Sequence, residues 1–166
     1  MVPRYLFLIP VPFDVFHEET MEPFVRAFIR ASLLWFGVGV LLGLWMAIDP
    51  AAVIYRPAHM HANLLGFVSM MIFGVAYHVI PRFTGTALRS RGAAFVHVVL
   101  ANAGLAAMVG AWLLRGAAPE VAVPVLAIGG ILSAAGAFLF IGNLWLTLGA
   151  APVSKLGIQP ARAVRA

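Results

Sequence analysis

An all-α membrane protein, a bundle of four transmembrane helices, is the fold class this sequence predicts, and three observations predict it. Of 166 residues, 63% are apolar and only 10% are charged, against about 45–50% and about 25% in a typical soluble domain. The mean hydropathy is +0.99, more apolar surface than so short a chain can hide from water. The apolar residues also gather into four runs that approach or exceed the length needed to cross a bilayer, about 20 residues each. This composition excludes an ordinary soluble enzyme, a disordered chain and a soluble nucleic-acid module. Cysteine is absent, so a disulfide framework, a thiolate zinc site, an iron–sulfur cluster and a thioether-linked haem are excluded too.

Taken in order, residues 1–23 predict a cytoplasmic or interfacial segment. Its apolar run from Tyr5 to Phe13 is short and broken by Pro10 and Pro12, and no clear small-residue cleavage site follows, unlike a secretory signal. Asp14, Glu18, Glu19 and Glu22 then lead to Pro23, and His17 among them reads as a surface residue. The transmembrane domain covers 24–149. Its first helix spans about 31–48, with room to begin a turn or two earlier. The others span about 58–80, 92–114 and 121–148. Asp49-Pro50, Pro81-Arg82 and the stretch from Gly116 to Pro119 supply the breaks. Residues 150–166 read as a loose basic tail.

Lys and Arg set the expected orientation. With four spans, both termini and the loop after the second helix share one side. That side carries Arg4, Arg26, Arg30, Arg82, Arg89, Arg91, Lys155, Arg162 and Arg165, whereas the other carries Arg56 and Arg115. The positive-inside rule places both termini in the cytoplasm and the protein in the inner (plasma) membrane. The net charge of +5 is thus explained by topology and lipid contact, with no nucleic acid as partner. Gly39 and Gly43, and Gly129, Ser133 and Ala137, have the spacing of close helix packing. Asn102 and Asn143 are expected to hydrogen-bond between helices. Trp45 and Trp112 suit the outer interface, Trp145 the inner one.

Ionisable groups inside a membrane are functional candidates, which singles out the histidines. His59 and His61 open the second helix within Arg56-Pro57-Ala58-His59-Met60-His61-Ala62-Asn63. Two residues apart on a helix is about 200° of rotation. The imidazoles therefore point to nearly opposite faces and do not grip one ion as an i, i+4 zinc pair does. Each is free to ligate a different haem or to meet a different neighbour, and both also suit interfacial residues bonded to water, headgroups or carbonyls. His78 lies roughly 25 Å further along the same helix, at a depth similar to His97 in the third helix. These two read either as an inner pair or, with more weight, as separate residues bonded to backbone or water.

The stretch Ala58-His59-Met60-His61, followed by Leu65, Gly66, Gly74, His78, Pro81, Phe83 and Gly85, resembles a helix of the haem–copper oxidase catalytic subunit. In that family one histidine of the pair ligates the high-spin haem and the other the low-spin haem, on opposite helix faces. By position, the resemblance gives His59 the high-spin-type place and His61 the low-spin-type place. His61-Ala62-Asn63 is also similar to the His-x-Asn of nitric oxide reductases, and the segment looks like the NnrS family of haem-containing membrane proteins. The resemblance covers about 30 of the 166 residues. The family's subunit holds three groups of four helices, and this chain resembles one group. It lacks the adjacent histidine pair that holds copper and a glutamate ring for non-haem iron, so oxygen or nitric oxide reduction by this chain alone is not expected.

What the resemblance implies is a non-covalent haem b on His61 and His59, with Arg56 meeting a propionate and Arg115 as a second candidate. It implies a role in electron transfer or diatomic gas (NO or O2) binding beside a respiratory oxidase or nitric oxide reductase. Opposite-facing ligands and a single four-helix unit suggest a homo-oligomer, trimer or dimer, with haem between protomers. The competing readings are a cofactor-free structural or assembly subunit and a metal-handling protein using His59, His61 and Met60, Met70 and Met71. The methionines are better explained by helix packing. The expected outcome is that His61→Ala abolishes haem retention, His59→Ala weakens it or changes its spin state, and His97→Ala does neither. Absorption spectra of the three purified variants check this, and equal haem in all three would overturn the assignment.

Overall fold

The computed structural model describes residues 21–150. The expectations for residues 1–20 and 151–166, including those for Arg4, His17 and the basic tail, lie outside them. Four helices account for nearly all of the described chain: α1 (Pro23–Ile48), α2 (Pro50–Thr84), α3 (Arg91–Leu114) and α4 (Pro119–Leu148). All four are long and apolar enough to cross a membrane, and no strand occurs among the described residues. The chain is a multi-pass membrane protein.

Helix boundaries follow local chemistry. α1 begins at Pro23, about two turns before Ala31, because proline lacks an N–H and is pre-set for the first turn of a helix. α2 also begins earlier than expected. Pro50 opens a 3₁₀ segment, Pro50–Tyr55, whose first turn is capped by Asp49 Oδ1 accepting from Ala51 N–H at 2.9 Å. An α-helical turn, Arg56–His61, follows, then a π-helical stretch, Ala62–Ser69, then regular α-helix from Met70. Ser69 Oγ donates to the Leu64 carbonyl five residues back at 2.8 Å, the same spacing as the π-helical backbone bonds. α2 ends at Gly85 with φ 63°. Thr86 N–H reaches Pro81 O at 3.1 Å and Gly85 N–H reaches Arg82 O at 3.3 Å, the Schellman pattern that favours glycine.

After Ala52 in the 3₁₀ segment, the buried residues of α2 are Ala58, Ala62, Gly66, Met70, Gly74 and Tyr77. A row spaced by four drifts about 40° per step on an ideal α-helix. The wider π turns absorb this drift and keep the row facing α1 and α3.

α1 and α2 pack along their length, and so do α3 and α4. That second pair meets almost backbone to backbone. A Cβ on Gly104 would lie 2.5 Å from Ser133 Oγ and 2.7 Å from Gly129 O, and one on Gly129 would lie 2.7 Å from Gly104 O. The spacing of Gly129 and Ser133 does mark close packing, and its counterpart is Gly104.

Polar groups fasten the bundle. Trp35 Nε1–H donates to Asn102 Oδ1 at 3.2 Å, joining α1 to α3, while Asn102 Nδ2 returns to Val98 O at 2.9 Å. Asn143 accepts from Ser90 N–H at 2.9 Å and donates to Ser90 O at 2.8 Å, and Thr147 Oγ1 accepts from Arg89 N–H at 3.0 Å. The end of α4 thereby holds the entry to α3, where Ser90 Oγ caps Ala93 N–H. Both asparagines make the interhelical bonds expected of them. Glu22 and Arg91 pair at 2.5 Å across the same end, an exposed contact of small energetic weight.

Close packing at Gly104 and Gly129 has an expected cost. Gly129→Val destabilises the domain by about 1–3 kcal/mol, the usual penalty for overpacking. Gly130→Ala, where an added Cβ meets nothing within 4 Å, is neutral or slightly stabilising through helix propensity. Thermal unfolding of both variants in detergent checks the contrast.

Candidate functional site

Pro57 sits in the first turn of the α-helical segment that carries both histidines, so that turn is rigid and the imidazoles project in set directions. The two rings do face different neighbours. His59 turns to α1: its Nδ1 lies 2.8 Å from the Gly39 carbonyl, and a Cβ on Gly43 would stand 3.0 Å from its Cε1. His61 turns to α3, where its ring centroid is 6.4 Å from that of Trp112. Its Nδ1 lies 2.7 Å from the carbonyl of Pro57, one turn back.

A carbonyl oxygen only accepts. Nδ1 of His59 and of His61 must therefore carry the hydrogen, and in the neutral imidazole Nε2 is left with the lone pair. This is the tautomer of a histidine that ligates through Nε2 while a carbonyl orients it from behind. The rings differ in access. Asn63 Nδ2, which donates to His59 O at 2.9 Å, also stands 3.4 Å from both ring nitrogens of His59. A Cβ on Gly39 would collide with the Asn63 amide at 2.5 Å. His59 and Asn63 thus fill the groove that Gly39 and Gly43 leave in α1. His61 Nε2 has no hydrogen-bond partner among the described residues and is not sealed from its surroundings.

Arg56 is exposed at the start of this segment and meets no ion-pair or hydrogen-bond partner among the described residues. Arg115 lies over the Trp112 ring, 4.8 Å from its centroid, which makes a column of Arg115, Trp112 and His61 at one end of the bundle. The Trp112 Nε1–H is buried without a partner. Trp45, also at this end, stacks on Tyr55 at 4.8 Å. No group of three or more His, Cys, Asp or Glu able to hold a bare metal ion occurs among the described residues. Met70 is buried in the core and Met71 Sδ lies 3.9 Å from Ser32 Oγ, so these methionines pack.

His78 and His97 do not face one another as a pair. Arg82 Nη1 donates to His78 Nδ1 at 3.0 Å and to His78 O at 2.8 Å. A guanidinium only donates, so His78 carries its hydrogen on Nε2. The polar residue of α2 that meets His97 is Tyr77, with its hydroxyl 3.2 Å from His97 Nδ1. His97 is fully buried among Phe28, Phe73, Tyr77 and Phe140, with ring centroids 4.6–5.9 Å away. Sequence reasoning gave His97 little weight. The available signal was its place between α3 positions Ala94, Ala101 and Gly104, a row at helical spacing that is buried throughout.

No family model matches the chain. It is similar to the Cbb3-type cytochrome c oxidase subunit CcoN1 of Stutzerimonas stutzeri, with 29% identity over 108 residues. The matched stretch is 61% of this chain and 23% of that protein. This distant similarity relates the chain to a respiratory oxidase subunit and agrees with the oxidase resemblance of the His-x-His segment.

The hydrogen-bond geometry fixes three tautomers. ¹⁵N spectra of histidine-labelled protein at neutral pH are expected to show Nδ1–H for His59 and His61 and Nε2–H for His78. An Nε2–H tautomer at His61 would remove its capacity to ligate through Nε2 in this conformation.

Proposed function

We propose that the chain is a haem b-binding, oxidase-related protein of the inner membrane, with both termini in the cytoplasm, serving electron transfer or the binding of a diatomic gas such as NO or O2. The observation that carries this reading is His61: its Nδ1 is tied to Pro57 O and its Nε2 lone pair is available. The residues present fit the group: His61 would hold it through Nε2, and Arg115 and Arg56 would offer it cationic donors at the same end. Haem b, when bound, supplies an iron that exchanges one electron and accepts axial ligands.

His59 contributes from the α1–α2 groove. Held by Gly39 O and covered by Asn63, it orients the helix turn that presents His61, so its loss is expected to weaken retention where loss of His61 abolishes it. A direct bond from His59 to a second haem requires its ring to leave the groove. Any further protein ligand to that haem would come from another copy or another subunit. Haem shared between protomers of a trimer or dimer remains part of this reading, as does partnership with a respiratory oxidase or nitric oxide reductase. The similarity to an oxidase subunit supports equally a second reading, a cofactor-free structural or assembly subunit.

Optical spectra of the purified protein, oxidised and dithionite-reduced, with a pyridine haemochrome assay, separate the two. A b-type spectrum with stoichiometric haem that disappears in His61→Ala is the expected result. Added carbon monoxide or NO then reads whether an axial position is open. No haem after expression in a haem-replete host would overturn the first reading in favour of the second.

A further inference from the structure

The outward face of α1 carries a feature that the haem reading leaves unused. Arg26 and Arg30 lie one helical turn apart, and both are exposed. Leu33, Gly37, Leu41 and Leu44 continue from them. At 3.6 residues per turn, these positions fall within about 80° of one another around the helix axis. Phe28 and Gly39, on the other side of α1, are buried in the bundle. Leu33, Leu41 and Leu44 are 56%, 67% and 55% exposed, and a Cβ on Gly37 would meet nothing within 4 Å. Two cations thus head an apolar track with a notch at Gly37, between Leu33 and Leu41.

The protein supplies these cations with no anion. Among the described residues neither the Arg26 nor the Arg30 side chain has a hydrogen-bond or ion-pair partner. Glu22, one turn before Arg26, pairs with Arg91 of α3. The other carboxylates of the described residues, Asp49 after α1 and Glu120 at the start of α4, lie at the opposite end of the bundle. Like charges spaced by four residues on a helix repel, so an anion from outside the chain stabilises both. The guanidinium fork matches phosphate oxygens.

Depth decides what carries that phosphate. From Arg30 to Ile48, the last residue of α1, is about 27 Å of helix, close to the hydrocarbon thickness of about 30 Å. Arg30 therefore stands where hydrocarbon gives way to headgroups, and Arg26 lies about 6 Å further out. A phospholipid holds its phosphate at this level and its acyl chains beneath it. A free phosphate or an acidic peptide would leave the apolar track unused, and a zwitterionic lipid brings its own cation. We propose that this face of α1 binds one anionic phospholipid, with its phosphate between Arg26 and Arg30 and an acyl chain along Leu33, Gly37 and Leu41. The site needs neither haem nor a particular orientation of the bundle. The other described arginines of this end are placed differently: Arg91 pairs with Glu22, Arg82 bonds His78, and Arg89 has its N–H held by Thr147 at the end of α4.

The test is native mass spectrometry of protein released from bilayers of phosphatidylglycerol and phosphatidylcholine in equal parts. One retained phosphatidylglycerol per chain is expected, in preference to phosphatidylcholine. Arg26→Gln combined with Arg30→Gln is expected to lose that preference. Arg89→Gln, which removes a cation from the same end, is expected to keep it. Gly37→Trp leaves both charges in place but fills the notch, and is expected to reduce retention. In detergent, added phosphatidylglycerol is expected to raise Tm where inorganic phosphate does not. Equal retention of the two lipids, a preference that survives the double substitution, or an equal loss in Arg89→Gln would overturn the proposal. So would an equal rise in Tm with inorganic phosphate, or dimers that retain no phospholipid. Should the double variant fail to insert, the lipid preference of the unmodified protein and of Gly37→Trp decides.

Discussion

Within a bilayer a helix satisfies its own backbone, and lipid tails are as apolar as leucine, so apolar side chains give helices little reason to associate. What holds this bundle together is how closely the helix axes approach, which glycines set. On α1, Gly39 and Gly43 leave the groove that receives His59 and Asn63. On α2, Gly66 lies so near α1 that a Cβ there would be 2.5 Å from Trp35 Cβ. Only at that distance does the Trp35 indole pass over α2 and reach Asn102 on α3. The polar bonds that fasten the helices are consequences of the glycine contacts, since short side chains such as Asn span a seam only when the backbones are close.

The same constraint shapes the candidate site. His59 is held at its Nδ1 by a carbonyl of α1 and His61 by a carbonyl of its own helix. One histidine is therefore an internal strut of the α1–α2 seam and the other is a group presented toward α3. Two residues with the same side chain, nearly adjacent in sequence, acquire different roles because only one faces a groove. The likeness to an oxidase subunit extends over 23% of that protein. The structural role of His59 needs nothing beyond the α1–α2 seam, in which its ring is held.

Much of this was legible in the sequence. The four spans followed from hydropathy, the opposite facing of His59 and His61 from the rotation of a helix, and the bonding of Asn102 and Asn143 from the cost of polar groups in lipid. Hydropathy places the start of the second helix too late, at 58 rather than Pro50, because it marks where lipid begins and proline marks where the helix begins. The π stretch from Ala62 to Ser69 was not legible. Its signal is a buried row spaced by four residues, which a standard α-helical wheel smears over several faces. Gly39 and Gly43 announced close packing without naming a partner, since spacing within one helix carries no information about which helix fills the groove.

His97 shows why residue type alone ranks intramembrane histidines poorly. By position it resembled His78, yet His78 bonds an exposed arginine and His97 sits inside an aromatic cage. What separates the histidines chemically is the donor or acceptor character of what each faces. A carbonyl imposes one tautomer and a guanidinium the other, whereas a phenol imposes neither. Assigned on that basis, His59 and His61 are preset for bonding through Nε2, with only His61 accessible. His78 is excluded from such bonding while Arg82 faces its Nδ1, and His97 is left as the group whose protonation pattern its surroundings do not dictate. The division follows from hydrogen-bond geometry.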